Sequence, residues 1–226
     1  MTIKKHIFLF ILLAFNYACV TNLTPFDPKN STFRIITEHN SKGSSFYVGT
    51  DEKLFVTSAH CIVDNNGRVL KTYIDDKKIE VVYINIDKDL ALFKCKDLHV
   101  AQSFNINSKK NMLGDTVYSI GYHLGIEFSI VSKGFISDHN DYSGKFIITS
   151  VPVNSGCSGG PLLNSDMEVI GINSMILSKL GVWDGVSLHT PAYDIELAIA
   201  HYNILKLRYG NNLYILYKDK IHENSL

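Results

Sequence analysis

With 226 residues, 22 basic and 22 acidic side chains and a formal net charge of zero, the chain gives no electrostatic case for nucleic acid or an anionic membrane surface as a partner. Its length suits one all-β domain. A chain of this size buries enough of its unfolded surface to need neither disulfide nor metal as a staple, and nothing in it calls for a cofactor.

Residues 1–18 read as an export signal. Lys4, Lys5 and His6 form a basic start, Ile7 to Phe15 is an unbroken apolar run, and Ala18 is a small residue at the cleavage point. The run is far shorter than the roughly 20 apolar residues of a spanning helix, so no permanent helical anchor is expected. Two fates stay open at this point. One is plain cleavage; the other is cleavage before Cys19, which would then carry lipid and tether the protein to a membrane at about 0.8 kcal/mol per buried methylene. Asn16 and Tyr17 stand where a lipoprotein signal usually has Leu and a small residue. The expected location is outside the cytoplasm: periplasmic, attached to the envelope, or secreted. Residues 19–32 are polar, carry two prolines and read as a tether.

From about residue 33 to 108 the pattern is short β-rich runs: Phe46–Val48, Leu54–Val56, Val69–Ile74, Glu80–Ile86 and Leu90–Cys95. The stretches Asp64-Asn65-Asn66-Gly67 and Asp75-Asp76-Lys77-Lys78 supply turns. After the polar connector Ser108–Asn111 a second set runs from about 112 to 190: Val117–Gly121, Phe128–Ser132, Phe146–Val153, Glu168–Met175 and Val186–Leu188. Two sets of about six short strands with no helix between them predict two antiparallel six-stranded barrels. The functional cleft is then expected between them, where loops of both meet. Residues 191–226 add a helix and a tail. Thr190 is the expected N-cap and Pro191 the first helical residue. Ile195, Ala198, Tyr202, Leu205 and Tyr209 form its apolar stripe, and Gly210 closes it. The tail holds one further apolar patch, Leu213–Tyr217.

The stretch Asn154-Ser155-Gly156-Cys157-Ser158-Gly159-Gly160-Pro161-Leu162 carries the chemistry. Glycines around Ser158 permit backbone conformations that converge main-chain N–H groups on one point, and donors aimed at a developing oxyanion are a large catalytic effect. A serine needs an adjacent base, itself oriented by a third group. Two runs supply them. Leu54-Phe55-Val56 delivers Thr57-Ser58-Ala59-His60-Cys61, and Asp87-Lys88-Asp89 opens the run Leu90-Ala91-Leu92-Phe93. His60, Asp89 and Ser158 therefore arrive in that order, each at the edge of a strand.

With these motifs the chain resembles the chymotrypsin-like serine proteases and, within them, the HtrA/DegP-type peptidases. The resemblance runs from about Phe33 to Ile199 and includes Gly43–Val48, the His60 motif, Asp89–Leu92, the Ser158 motif, Glu168–Ser174 and Gly185–Pro191. It implies Ser158 as nucleophile, His60 as base, Asp89 as the group orienting it, and the N–H groups of Gly156 and Ser158 as oxyanion donors. Asp87 reads as a solvated turn residue. The resemblance further implies that Ser174-Met175-Ile176 pairs with an extended peptide. Pro152 falls where arginine-specific relatives carry an acidic residue, so small or medium aliphatic side chains are expected at P1. Substrates would be proteins or peptides, and a trimer is an option because many relatives form one.

The chain departs from the pattern at Cys157, where Asn or Asp is usual before the nucleophile, and no PDZ domain follows. Cys61 and Cys95 are either a bridge or free thiols. Three rival readings stand beside the protease: a catalytically silent binding module on the same fold, a surface lipoprotein acting as an adhesin, and an enzyme with Cys157 as nucleophile.

Overall fold

The computed structural model describes residues 26–139, 145–176 and 185–210; the expected signal at residues 1–18, Cys19 and the tail patch lie outside them. A single 3-10 turn, Pro28–Ser31, is capped by the Asp27 carboxylate, which accepts from Lys29 N at 3.0 Å. The first half then contributes β1 (Thr32–Thr37), β2 (Lys42–Gly49), β3 (Leu54–Thr57), β4 (Thr72–Ile74), β5 (Lys77–Lys78), β6 (Glu80–Asn85) and β7 (Leu90–Lys94). The second contributes β8 (Thr116–Gly121), β9 (Ile130–Asp138), β10 (Ile147–Thr149), β11 (Pro161–Leu163), β12 (Val169–Ile176) and β13 (Ser187–Pro191). Helix α1, Ala192–Tyr209, follows directly.

The second half is the expected closed six-stranded barrel, in the order β10-β13-β12-β11-β8-β9. The first half differs from the expectation: it is a seven-stranded sheet in the order β5-β4-β1-β2-β3-β7-β6. Its edge strands β5 and β6 are separated in sequence by Ile79 alone, so the sheet curls until its two edges meet at one corner. Strand β5 is too short to zip them together. The turn before it is also displaced from the sequence reading. Asp75 and Asp76 both take positive φ (44° and 63°), as a two-residue hairpin turn matching strand twist requires. Lys77 and Lys78 are therefore the returning strand rather than part of the turn.

Three cores hold the halves. Ile35, Phe55, Ile62, Ile74 and Phe93 fill the first, with the Phe55 and Phe93 rings stacked at 5.2 Å. Val117, Ile136, Val151, Leu162 and Ile170 fill the second. The largest lies between them: Phe46, Leu54, Val56, Leu92, Ile120 and Ile172 pack with Ile195 and Tyr202 of α1. Strand β3 is therefore buried on both faces, Phe55 toward one core and Leu54 and Val56 toward another. That is why Leu54-Phe55-Val56 is a continuous apolar run instead of an alternating one. Fully burying each such side chain contributes about 1.5–3 kcal/mol.

The start of α1 departs from the sequence reading by one residue. Pro191 occupies the cap position with no side-chain cap bond. The Thr190 hydroxyl donates instead to Lys88 O at 2.7 Å, tying β13 to the turn that carries Asp89. Lys88 also pairs with Asp194 in the first turn of α1, at 3.2 Å. At the other end the Glu52 carboxylate takes the ammonium groups of Lys94 and Lys206, which hold its pKa down to about 2. The inner stripe of α1 is buried through Tyr202, whereas Tyr209 is exposed. Cys61, Cys95 and Cys157 are all free thiols, so the bridge between the first two does not form.

Candidate active site

His60 sits on the one-turn 3-10 helix Ala59–Cys61 immediately after β3. That turn is pinned across the halves, because Ser58 Oγ donates to Asn173 O at 3.0 Å. Asp89 closes the tight β6–β7 turn with φ 49°, a left-handed conformation that Asp tolerates better than most residues. In that turn Lys88 N donates to Asn85 Oδ1 at 3.1 Å and Asp89 N to Ile86 O at 3.1 Å. Asp87 is exposed, as expected of a solvated turn residue.

The turn aims the buried Asp89 carboxylate at His60. It accepts from His60 N at 3.0 Å and lies 2.8–2.9 Å from His60 Nδ1. Ser174 Oγ, on β12, donates to its other oxygen. An ionised carboxylate only accepts, so Nδ1 must carry the proton and Nε2 is left as the ring's basic atom. Burial pulls the His60 pKa down, but the Asp89 hydrogen bond, aided by the neighbouring Cys61 sulfur, outweighs it and the pKa is pushed up to about 10. Burial likewise raises Asp89, yet its contacts with His60 bring it below the ordinary carboxylate value.

Ser158 lies on the turn before β11. Gly156 and Gly159 take φ of 92° and 87°, and a Cβ on Gly159 would stand 2.2 Å from both Ser44 O and Thr57 Oγ1. Three other amides of the loop are committed: Cys157 N donates to Asn154 O, Gly160 N to Cys157 O and Gly159 N to Asn173 O on β12. Among the described residues the N–H groups of Gly156 and Ser158 meet no acceptor. Ser158 Oγ donates to Ser174 O at 3.2 Å. The Cys157 side chain turns into the second core, where its sulfur accepts from Asn154 N at 3.3 Å, and burial pushes its thiol up to about 12. Such a thiol does not ionise near neutrality.

His60, Asp89, Ser158, Ser174 and Met175 share one cleft of about 670 Å³. Its apolar lining includes Val63, Ile86, Val153 and Met175, and Asp64 and Asn65 stand on its rim. Pro152 is not among the lining residues; it is half-buried between Val151 and Val153. The backbone of Ile176 pairs with Ser187. Two features escape sequence reasoning. The sequence gives Ser174 a backbone role in peptide pairing, yet its hydroxyl holds Asp89. Ser44, wholly buried on β2, donates from N to Ser158 O at 2.8 Å and from Oγ to Gly156 O at 2.7 Å. Both contacts join residues far apart in sequence, so no local pattern announces them.

A family model described as a trypsin-like peptidase domain matches residues 43–172, and the chain belongs to that family. Its relatives there are DegP- and HtrA-type serine endoproteases. It is 35% identical over 173 residues to a protein of Pseudomonas savastanoi pv. phaseolicola named as a DegP-like periplasmic serine endoprotease, covering 73% of this chain and 35% of that one. It is 27% identical over 195 residues to the serine protease Do-like HtrA of Bacillus subtilis, covering 80% and 43%. The chain thus spans between about a third and two-fifths of the length of the curated relatives it matches. Among solved structures, the serine endoprotease from Yersinia pestis aligns with TM-score 0.63 and 21% identity, over 77% of this chain and 63% of that one. An HtrA-type protease with a tripeptide aligns with TM-score 0.63 and 23% identity, over 76% and 60%. These two likenesses establish the fold.

The crowding at Gly159 gives a measurable expectation. Gly114→Ala, with φ 85° and nothing within 4 Å of its Cβ, should cost only the left-handed backbone penalty of about 1–2 kcal/mol. Gly159→Ala adds an overpacking cost of about 1–3 kcal/mol against a main-chain oxygen. Denaturant melts should rank Gly159→Ala clearly below Gly114→Ala; equal losses would mean that the Ser44–Gly159 approach is not tight.

Proposed function

We propose that the chain is a serine endopeptidase working through an acyl-enzyme. The observation that carries this reading is the His60–Asp89 pair in one cleft with Ser158 and the two uncommitted N–H groups of Gly156 and Ser158. Ser158 Oγ attacks the scissile carbonyl. His60 Nε2 takes its proton and later gives it to the leaving amine, while Asp89 fixes the tautomer and stabilises the imidazolium. The N–H groups of Gly156 and Ser158 receive the oxyanion.

An extended peptide adds to the end of β12 along Ser174–Ile176. A substrate N–H at Ser174 O would replace Ser158 Oγ there, since the hydroxyl donates to that carbonyl. The hydroxyl is then released toward His60, and strand pairing and nucleophile orientation become one event. The apolar lining of Val153 and Met175 supports cleavage after aliphatic residues, and a peptide-library profile dominated by Arg, Lys or Glu at P1 would overturn that preference. Relatives named as periplasmic, together with the basic start and apolar run of residues 1–18, support export. The intact mass of the native protein tests this and tells plain cleavage from a lipid on Cys19. One observation favours a silent scaffold: Ser158 Oγ contacts Ser174 O rather than His60.

A labelled fluorophosphonate separates the readings. It should modify Ser158 in the parent and nothing in Ser158→Ala. Ser158→Ala and His60→Ala should lower turnover by roughly 1,000-fold or more, with a smaller loss for Asp89→Asn. Cys157→Asn should stay within about tenfold, since residue 157 faces the second core and the Asn154 N–H rather than the cleft chemistry. No labelling of the folded parent means a binding module; activity that survives Ser158→Ala but not Cys157→Asn means a thiol enzyme.

The pH profile follows from the direction of the His60 shift. A base must be neutral, and the Asp89 contact raises its pKa above the ordinary 6.5 toward about 10. The rising limb of kcat/KM should therefore lie well above pH 6.5, and Asp89→Asn should move it down. A limb at or below 6.5 in the parent contradicts this. Stability runs the opposite way: a raised folded-state pKa contributes fully below the unfolded value of about 6.5 and is lost as pH rises through about 10.

A further inference from the structure

Helix α1 is apolar on two opposite faces. The inner face, centred on Ile195, Ala198 and Tyr202, is buried against the largest core. Tyr193, Leu197, Ala200, Ile204 and Leu207 repeat at spacings of 4, 3, 4 and 3 on the other side, and at about 100° per residue they fall within an arc of about 80°. All five are exposed, Tyr193 by 58%, Leu197 by 48%, Ile204 by 61% and Leu207 by 90%. Glu196 and Asn203 border the stripe on one side, His201 and Arg208 on the other. A surface helix normally turns polar residues outward, and a 4-3 apolar repeat is the pattern of a helix face that packs on a partner segment.

The chain carries a matching segment. Residues 211–226 follow the helix, and Leu213-Tyr214-Ile215-Leu216-Tyr217 begins three residues after Gly210. Gly210 leaves the helix at φ 65°, a conformation open to glycine that redirects the chain at a helix C-terminus. From Tyr193 to Leu207 the stripe is about 21 Å long, and five extended residues span about 17 Å. The alternative occupant is the same stripe of a second copy. One face of a single helix falls well short of the roughly 800 Å² per partner that a stable dimer buries, and association of two molecules costs translational and rotational freedom. A segment joined to the helix end through residues 210–212 alone avoids most of that cost.

We propose that the tail segment Leu213–Tyr217 folds back onto the outer stripe of α1 and covers Ile204 and Leu207. The helix is then held from both sides, by the core within and the tail without. This inference rests on α1 and the sequence that follows it and is independent of the peptidase reading.

Hydroxyl-radical footprinting of the mature chain tests it, with side-chain oxidation read by mass spectrometry. The triple variant Leu213→Asp/Ile215→Asp/Leu216→Asp should raise the oxidation rates of Ile204 and Leu207 several-fold over the parent. The reciprocal variant Ile204→Lys/Leu207→Lys should raise those of Tyr214 and Tyr217. All five substitutions lie on exposed α1 positions or in the tail, so the main melting transition of the barrels should remain. Equal rates in parent and variants overturn the proposal. So does protection that disappears on dilution, which would assign the stripe to a second copy.

Discussion

The site depends on one buried serine that performs no chemistry. Ser44 donates its N–H to the carbonyl of Ser158 and its hydroxyl to the carbonyl of Gly156, accepts on that hydroxyl from Tyr122 N at 2.9 Å, and receives Thr57 Oγ1 on its own carbonyl at 2.8 Å. Every polar atom of the residue is therefore used. By occupying the carbonyl oxygens of residues 156 and 158, it orients the 156–157 and 158–159 peptide planes, one on each side of the Cys157–Ser158 pair. The N–H groups of those planes, on Cys157 and Gly159, donate to Asn154 O and Asn173 O, which leaves the N–H groups of Gly156 and Ser158 as the ones without an acceptor among the described residues. Buried polar groups are costly when unpaired, so this junction forms as a whole or fails as a whole. Its members come from β2, the strand end before His60 and the β8 end, which makes the shape of the Ser158 turn a property of both halves of the chain.

A second buried junction does the same for the carboxylate. Asp89 accepts from His60 N, His60 Nδ1 and Ser174 Oγ, and its turn is tied to β13 through Thr190. A carboxylate that is nine-tenths out of water is tolerable only with such a set of donors. Ser174 serves both junctions, with its hydroxyl on Asp89 and its carbonyl under the Ser158 hydroxyl. The residue links the orienting group to the nucleophile along a path that does not pass through the imidazole.

What was legible in the sequence was local. Motifs of a few residues, such as Thr57–Cys61 or Gly156–Pro161, carry their own backbone requirements, so His60, Asp89 and Ser158 could be named and are found in one cleft. Strands with apolar runs were readable because burial on one or both faces fixes composition. Strand β11 was not, since its first residue, Pro161, completes a glycine-rich turn and only three residues follow the ladder. The turn at Asp75–Asp76 was readable, but not that Lys77 and Lys78 return as a strand, because a two-residue strand has no period. Thr190 has the chemistry of a cap, yet a carbonyl 102 residues away in sequence claimed its hydroxyl. The closure of the second barrel against the open curl of the first depends on strand lengths and register, which composition does not record.

Glu52 draws together Lys94 from β7 and Lys206 from the last turn of α1, with Tyr202 nearby. Charge pairs at a partly wet surface weaken as mobile ions screen them, over a length of about 8 Å at physiological ionic strength and about 3 Å at 1 M salt. Apolar cores do not respond in that direction. The far end of α1 is thus a portion of the fold whose attachment varies with the saltiness of its surroundings, while the apolar cores of the sheet and the barrel do not loosen in that direction. In a compartment whose ionic composition follows the medium, that single carboxylate would make the helix end a reporter of the environment.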